Sequence, residues 1–349
     1  MKKFWLVIVG VLLAVIICVI SSVYVVGNHY YSKIETTESL TKEEVSVVEG
    51  VKDKEEELGI VNIALLGIDK LPNGEDGRSD AMKVVSLDFK NKTVKMTSFQ
   101  RDVLIYMPEP INDFHKMNHA YLYGGALLTL KTLNYNYDLD VTRYVAFNFD
   151  AIEAIIDIMG GVELDIKSSE IDVTNNYIKH LNGLHDDDVD ATYLKQGGVQ
   201  QLTGRQAMAY MRNRYVGSDF ARMERQSVVI KSLIEKATKL NYQELLTLLD
   251  TCLPYIETNL SLSDIITYGT KVLTFDLKNI EQLQVPSKGY DDINHSVSYQ
   301  GFSPLYVMNS YQALVKEIHE FIYNDTQYQP SQTVIETEAA IYEKFGYVK

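Results

Sequence analysis

The pattern of apolar and polar positions divides the chain into four stretches. From Phe4 to Gly27 no side chain carries a charge. As a helix rising about 1.5 Å per residue this run would span roughly 36 Å, enough to cross a bilayer. A cleavable leader has an apolar stretch of only about 7 to 15 residues and a small-residue exit. The run fits neither, so residues 1–27 read as a cytoplasmic tip and a retained transmembrane helix. Lys2 and Lys3 precede it, and Asn28 to Glu35 adds one lysine and one acid, which places the N-terminus in the cytoplasm and the rest of the chain outside. Residues 28–59 contain Lys52-Asp53-Lys54-Glu55-Glu56-Glu57 and little apolar periodicity, the pattern of an acidic, solvated extracellular stalk. Residues 326–349, with Pro330 and several Thr and Gln, read as a loosely packed tail.

Between these ends, over residues 60–325, apolar runs of strand length alternate with helical periods, which predicts an α/β or α+β domain. The predicted strands are 62–68, 81–89, 93–99, 144–149 and 162–166. The predicted helices are 118–133, 151–159, 202–211, 219–240, 242–253, 261–275 and 304–322. Asn91 falls in a turn between two alternating strands, so residues 81–99 read as a β-hairpin ending at Arg101-Asp102. No internal repeat is evident.

Composition narrows the function. Of two cysteines, Cys18 lies in the apolar run and Cys252 is alone in the exterior part, so no intramolecular disulfide forms there and the core must hold the fold. A net charge of −14 argues against nucleic-acid partners, which require a basic surface. Oligomeric state is not legible.

Against that acidic background the arginines are few and clustered. The 33 basic residues include only eight arginines, all between Arg78 and Arg225, and Arg212, Arg214, Arg222 and Arg225 fall within 14 residues. A guanidinium is planar, stays charged and matches phosphate oxygens with paired donors. The cluster therefore predicts a fixed oxyanion ligand, with surface salt bridges as the plainer alternative. If 210–215 runs extended, Arg212 and Arg214 share a side. If Asp219 caps the following helix, Arg222, Arg225 and Gln226 share a face at i, i+3, i+4 spacing. Asp69 closes one predicted strand and Asp80 opens the next after Arg78-Ser79, so the two carboxylates can share one cation. Mg2+ is commonly held by one or two carboxylates and substrate phosphates. His115 and His119 lack a third zinc ligand nearby and read as packing residues. The acidic run at 186–190 lacks calcium-loop spacing and reads as a solvated loop.

Five ordered segments, Asn62-Ile-Ala-Leu-Leu-Gly-Ile-Asp69, Arg78-Ser-Asp80, Ser98-Phe-Gln-Arg-Asp102, Lys116-Met-Asn-His-Ala-Tyr-Leu-Tyr-Gly-Gly125 and Leu202-Thr-Gly-Arg-Gln-Ala-Met-Ala-Tyr-Met-Arg-Asn-Arg214, resemble the LytR-CpsA-Psr family. Asp219-Phe-Ala-Arg222, Arg225-Gln226 and Gly160-Gly-Val-Glu-Leu-Asp165 extend the resemblance. It implies an α/β/α sandwich around a central mixed sheet, and a membrane-anchored extracellular phosphotransferase of a Gram-positive type envelope. Such enzymes move a glycopolymer (a wall teichoic acid, a capsule or a related glycan) from a polyprenyl pyrophosphate to a peptidoglycan hydroxyl as a phosphodiester.

By position the resemblance implies Asp69 and Asp80 as Mg2+ ligands. Arg78, Arg101, Arg212, Arg214, Arg222 and Gln226 would bind the pyrophosphate, with Arg225 as a further match, and Asp102 would orient or deprotonate the acceptor hydroxyl. Arg101, Asp102, Arg212 and Arg214 are the candidate catalytic groups. The sequence departs from the family pattern at Gln100, where proline is usual, at Leu71, where arginine is frequent, and at Gln201 and Arg205, where His and Glu are common. A lipid pyrophosphate hydrolase and a non-catalytic anchored receptor for an anionic envelope polymer are the competing readings.

Overall fold

The computed structural model describes residues 27–51, 54–70, 76–183, 191–213, 216, 219–237, 239–275, 277 and 280–348. The apolar run at 1–26, Leu71, Arg214 and the whole acidic run at 186–190 lie outside the described residues. Among the described residues no helix is long and apolar enough to cross a membrane.

The centre is a seven-stranded mixed sheet. In chain order its strands are β1 (Glu35–Thr36), β2 (Ile60–Lys70), β3 (Asp76–Asp88), β4 (Thr93–Phe99), β7 (Arg143–Asn148), β10 (Ile256–Thr258) and β11 (Glu281–Val285). They lie in the order β1-β10-β7-β2-β3-β4-β11. The pairs β1/β10, β7/β2 and β4/β11 are parallel and the rest antiparallel. Hairpins β5 (Leu104–Met107) with β6 (Asp113–Lys116), β8 (Val162–Ile166) with β9 (Gly198–Leu202), and β12 (Ile293–Tyr299) with β13 (Phe302–Met308) stand outside it.

Alternation along the central strands dresses both faces with apolar groups, as a two-sided sheet requires. Leu66, Met82 and Val84 face one core with Leu130 and Leu133 of α2 (His119–Tyr137), Ile318 of α9 (Tyr311–Tyr323) and Ile341 of α10 (Gln332–Phe345). Ala81 faces the other with Ile156 of α3 (Phe149–Ile158), Ile178 of α4 (Ile171–Asn182), Ala207 of α5 (Gly204–Arg212) and Val229 of α6 (Asp219–Ala237). On that face too, Val61, Leu87 and Met96 pack with Val272 of α8 (Leu262–Val272). The three layers make an α/β/α sandwich. The short α1 (Lys54–Leu58) and α7 (Tyr242–Cys252) complete the helices used below.

Four readings are corrected. The 28–59 stretch is no solvated stalk: Glu35–Thr36 joins the sheet, and Val45 and Val51 are fully buried in the main core, so its scattered valines outweigh its charges. The tail is likewise built in, because Ser331 caps α10 and Val334 and Ile341 bury against the domain. The helix expected from Pro304 begins instead at Tyr311; residues 302–308 pair with β12, and the long apolar run conceals a strand and a helix in succession. Residues 210–212 are not extended either, since α5 continues through Arg212 and the backbone turns extended only at Asn213.

Candidate active site

The site lies at one end of the central sheet, where β2 finishes and β3 begins. The β2–β3 register pairs Gly67 with Ala81 but Ile68 with Ser79. Asp80 is therefore the extra residue of a β-bulge, a device that re-aims a side chain out of the regular ladder. Its Oδ1 accepts from Arg101 Nη1 at 2.8 Å and from Asn118 Nδ2 at 3.1 Å. Its Oδ2 accepts from Arg222 Nη1 at 3.4 Å, and Arg222 Nη2 donates to the Asp80 carbonyl at 3.1 Å. Four segments thus converge on one carboxylate: β3, the turn after β4, the residue before α2, and α6. The Arg222 side chain is only 3% exposed and that of Asp80 10%, so the cluster sits in a medium where charge interactions are strong.

A second carboxylate stands nearer solvent. Asp69 follows Ile68 on β2 and accepts from Arg212 Nη2 at 2.9 Å, with side-chain exposures of 47% and 29%. Arg212 arrives as the last residue of α5. That helix is fixed by a capping box, in which Thr203 accepts from Gln206 N while the Gln206 side chain accepts from Thr203 N. At Gly204 the helix start presses on α3 so closely that a Cβ would lie 2.1 Å from the Glu153 carbonyl.

Asp102 continues the network inward. It is buried, accepts from Lys116 Nζ at 2.8 Å, and lies 3.5 Å from Arg101 Nε. Its backbone is held on both sides: its N–H donates to Gln100 Oε1 and its carbonyl accepts from Tyr306 N at 2.9 Å. The Gln100 N–H, just past β4, donates to Val285 O at the end of β11 at 2.9 Å, a bond that a proline at this position lacks.

The remaining predicted residues take different places. Arg78 is exposed beside the start of α2, where its charge, after burial, helps hold the His119 imidazole down to about 4. Gln226 is buried on α6, one turn beyond Arg222. Arg225 is turned inward: it donates to Glu170 Oε1 at 3.0 Å, to Val216 O at 3.2 Å and to Asn213 O. In this arrangement it braces the loop after Arg212. Arg214 lies outside the described residues. Sequence reasoning gave no role to Asn118 or Lys116, although both stood in a quoted motif, and it did not foresee Glu170 as the partner of Arg225.

The donor set accommodates Mg2+ only in part. Among the described residues no group of three or more His, Cys, Asp or Glu is arranged to hold a metal. Asp69 and Asp80 flank adjacent rungs, however, and Asn118 Oδ1 is a buried oxygen without a hydrogen-bond partner beside Asp80. Two carboxylates and an amide oxygen suit a hard cation whose other ligands come from phosphate and water.

A model of the LytR-CpsA-Psr family matches residues 23–315. The chain belongs to that family. It is 32% identical over 302 residues to the polyisoprenyl-teichoic acid–peptidoglycan teichoic acid transferase TagT of Bacillus subtilis (strain 168), covering 83% of this chain and 87% of the relative. It is also 32% identical over 241 residues to the regulatory protein MsrR of Staphylococcus aureus (strain Mu50), covering 68% of each. Among solved structures it resembles TagT bound to LIIa-WTA, with a TM-score of 0.58 at 29% identity over 77% of this chain and 91% of that one. It also resembles the LytR-CPS2A-psr family protein YwtF (TagT) with bound octaprenyl pyrophosphate lipid, with a TM-score of 0.54 at 27% identity over the same shares.

Two departures from the LytR-CpsA-Psr pattern have local explanations here. Arg205 pairs with Glu153 of α3 at 3.0 Å, and Gln201 donates to the Gly160 carbonyl at 2.7 Å. The first ties α5 to α3, and the second ties β9 to the turn that follows α3.

Proposed function

We propose that this chain is a membrane-anchored, extracellular phosphotransferase that moves a glycopolymer from a polyprenyl pyrophosphate to a peptidoglycan hydroxyl. The observation that carries the reading is the convergence of Arg101, Arg222 and Asn118 on Asp80, beside the Asp69–Arg212 pair. Guanidiniums already gathered around carboxylates are preorganised donors, and a pyrophosphate, with more charge and more oxygens, competes for them. The similarity to a relative whose structure holds octaprenyl pyrophosphate, and to one named as a teichoic acid transferase, supports the same ligand class.

In the transfer, the acceptor hydroxyl oxygen attacks the phosphorus attached to the glycan. A new P–O bond forms, the bond to the bridging oxygen breaks, and polyprenyl phosphate leaves with the electron pair. Arg101, Arg212, Arg214 and Arg222 neutralise charge on the oxygens around the reacting phosphorus and on the leaving phosphate, with Arg78 at the rim. Gln226 adds a neutral contact, and Arg225 holds the loop that carries Arg214. Asp102, oriented by Lys116 and its fixed backbone, receives the hydroxyl proton. Asp69 and Asp80 would hold Mg2+, which supplies further neutralisation of the pyrophosphate oxygens when bound. The anhydride bond itself drives the reaction, so no nucleotide is required outside the cell.

Full-length protein in detergent, given a sugar-loaded polyprenyl pyrophosphate, Mg2+ and peptidoglycan oligomers, should form a glycan–peptidoglycan phosphodiester. Release of sugar phosphate alone would make it a hydrolase. Binding without turnover, unchanged by EDTA, would make it a receptor.

A further inference from the structure

Lys83 lies on β3, three residues past Asp80, and is 2% exposed. Its ammonium donates to two hydroxyls, Ser98 Oγ on β4 at 2.7 Å and Ser227 Oγ on α6 at 2.8 Å. Ser98 is its direct cross-strand partner, and Ser227 donates onward to the Met223 carbonyl at 2.9 Å. Neither of these hydroxyls carries a charge. An ammonium buried against neutral oxygens is costly compared with an apolar side chain of the same length. The cost registers in its basicity: burial, and then the Arg222 charge, pull the amine down to about 7.

The three elements joined by this amine are three of those that deliver the site. β3 carries Asp80, Ser98 stands three residues before Arg101, and Ser227 adjoins Gln226 one turn and a residue past Arg222. Guanidinium forks act only when held close to their productive geometry. We propose that Lys83 is a positioning residue of the diphosphate site: it pins α6 to β3 and β4 so that Arg222 and Gln226 meet the same phosphate oxygens as Arg101. The inference rests on the function proposed above and assigns a role to a residue in none of the family motifs.

The test uses full-length protein in detergent micelles and geranylgeranyl diphosphate as the probe, with binding followed by calorimetry. Lys83→Met should keep the wild-type thermal midpoint within a few degrees and weaken binding about tenfold. Combined with Arg222→Lys, the loss should fall short of the product of the two single losses, since Lys83 acts through Arg222. Lys95→Met provides the contrast: Lys95 is also buried, bonded to the Phe321 carbonyl and Asn324 on the far side of the sheet, and its loss should leave binding within about twofold. If Lys83→Met does not fold, Ser227→Ala severs the same pin at its α6 end and should weaken binding about threefold. Binding by Lys83→Met or Ser227→Ala equal to wild type, or losses that multiply with Arg222→Lys, would overturn the inference while leaving the proposed function standing. Failure of the wild type to bind the diphosphate would remove both.

Discussion

The two ends of β2 both lead to buried or half-buried carboxylates, and they satisfy them with different chemistry. Near its start, Asn62 Nδ2 and the Tyr323 hydroxyl donate to Asp140 Oδ1 at 2.5 and 2.8 Å, and Ser331 and Tyr328 donate to Asp138. These partners are amides and hydroxyls, and one oxygen of Asp140 is buried without any. Burial accordingly raises both acids above the usual carboxylate range, against the hydrogen bonds that lower them. At the far end, Asp69 and Asp80 are bonded to Arg212, Arg101 and Arg222. A hydroxyl that satisfies a carboxylate has little to offer a competing anion, whereas a guanidinium can exchange one oxyanion for another at small cost. The first end is a structural lock and the second is a site held ready.

The sharpest way to break this contrast is to neutralise one carboxylate at each end without changing its shape. Asp80→Asn removes the charge that gathers Arg101 and Arg222, and turnover of the lipid-linked donor should fall about 10²- to 10³-fold, the scale for losing one preorganised electrostatic element. Asp140→Asn keeps an acceptor for Asn62 and Tyr323. It should leave kcat and KM within about twofold and change urea stability by less than about 1 kcal/mol. Similar kinetic losses in both variants would show that the two ends do not differ in kind.

The next effect is on stability alone. Tyr323→Phe removes a buried hydroxyl that both donates to Asp140 and accepts from Asn62 at 2.8 Å. It should cost about 1–3 kcal/mol in chemical denaturation, because partners are left unsatisfied, with transfer kinetics unchanged.

How far each end was legible in the sequence follows from the same difference. Strands 93–99 and 162–166 were read at their observed limits: Val162, Leu164 and Ile166 alternate with acids, and Val94 and Met96 begin the same alternation after the turn at Asn91. The short β5, β6, β10 and β11 were not, since β5 is apolar throughout and β6, β10 and β11 hold only one or two apolar residues each, too few to establish a period. Arginine stood out by scarcity and charge, so the cationic half of the site was visible. That Arg222 reaches Asp80 across 142 residues of chain was not, and neither was the bulge that aims Asp80, which exists only in the pairing of β2 with β3. Asn118 and Lys83 escaped notice because a lone amide or lysine has no spacing to betray it. The valines of 45–51 were misjudged because their charged neighbours dominate a linear reading, and the helix at 332–345 because Pro330 and the Thr and Gln near it read as irregular chain, while burial is decided by what packs over them.

A pH series sharpens the comparison further. At the locked end His319 stacks on Tyr328 with ring centroids 3.5 Å apart, donates from Nε2 to the Asp138 carbonyl at 2.9 Å, and accepts from Lys54 at Nδ1 at 3.2 Å. Burial, and then Lys54, push its imidazole down to about 3. The unfolded chain takes up this proton near pH 6.5, whereas the folded one does so only near 3, so stability supported by the neutral ring is lost as pH falls through that window. Between pH 7 and 4.5 His319→Gln should lose less stability than wild type, by on the order of 1–2 kcal/mol in urea titrations. Asp140 has the opposite sign: its raised carboxyl holds a proton longer when folded, so acid relieves it. Asp140→Asn should therefore lose more stability than wild type over the acid part of the same range. Parallel pH profiles for wild type and both variants would mean that the lock is not built on neutral groups.

The smallest effect tests whether arginine matters by kind or by place. Arg143 is one of the eight arginines but stands at the locked end, where β7 pairs it with Ile63 and Nη1 meets Glu55 of α1 at 2.8 Å. Both side chains are 23% exposed, so the attraction is partly screened and offset by the order imposed on two long side chains. Arg143→Ala should lower stability by no more than about 1 kcal/mol and leave donor turnover within twofold, to be checked by parallel denaturation and kinetics. A large kinetic loss would mean that the field of all eight guanidiniums, and not the convergence on Asp69 and Asp80, binds the diphosphate. A null result beside a collapsed Asp80→Asn would confine that chemistry to one end of the sheet.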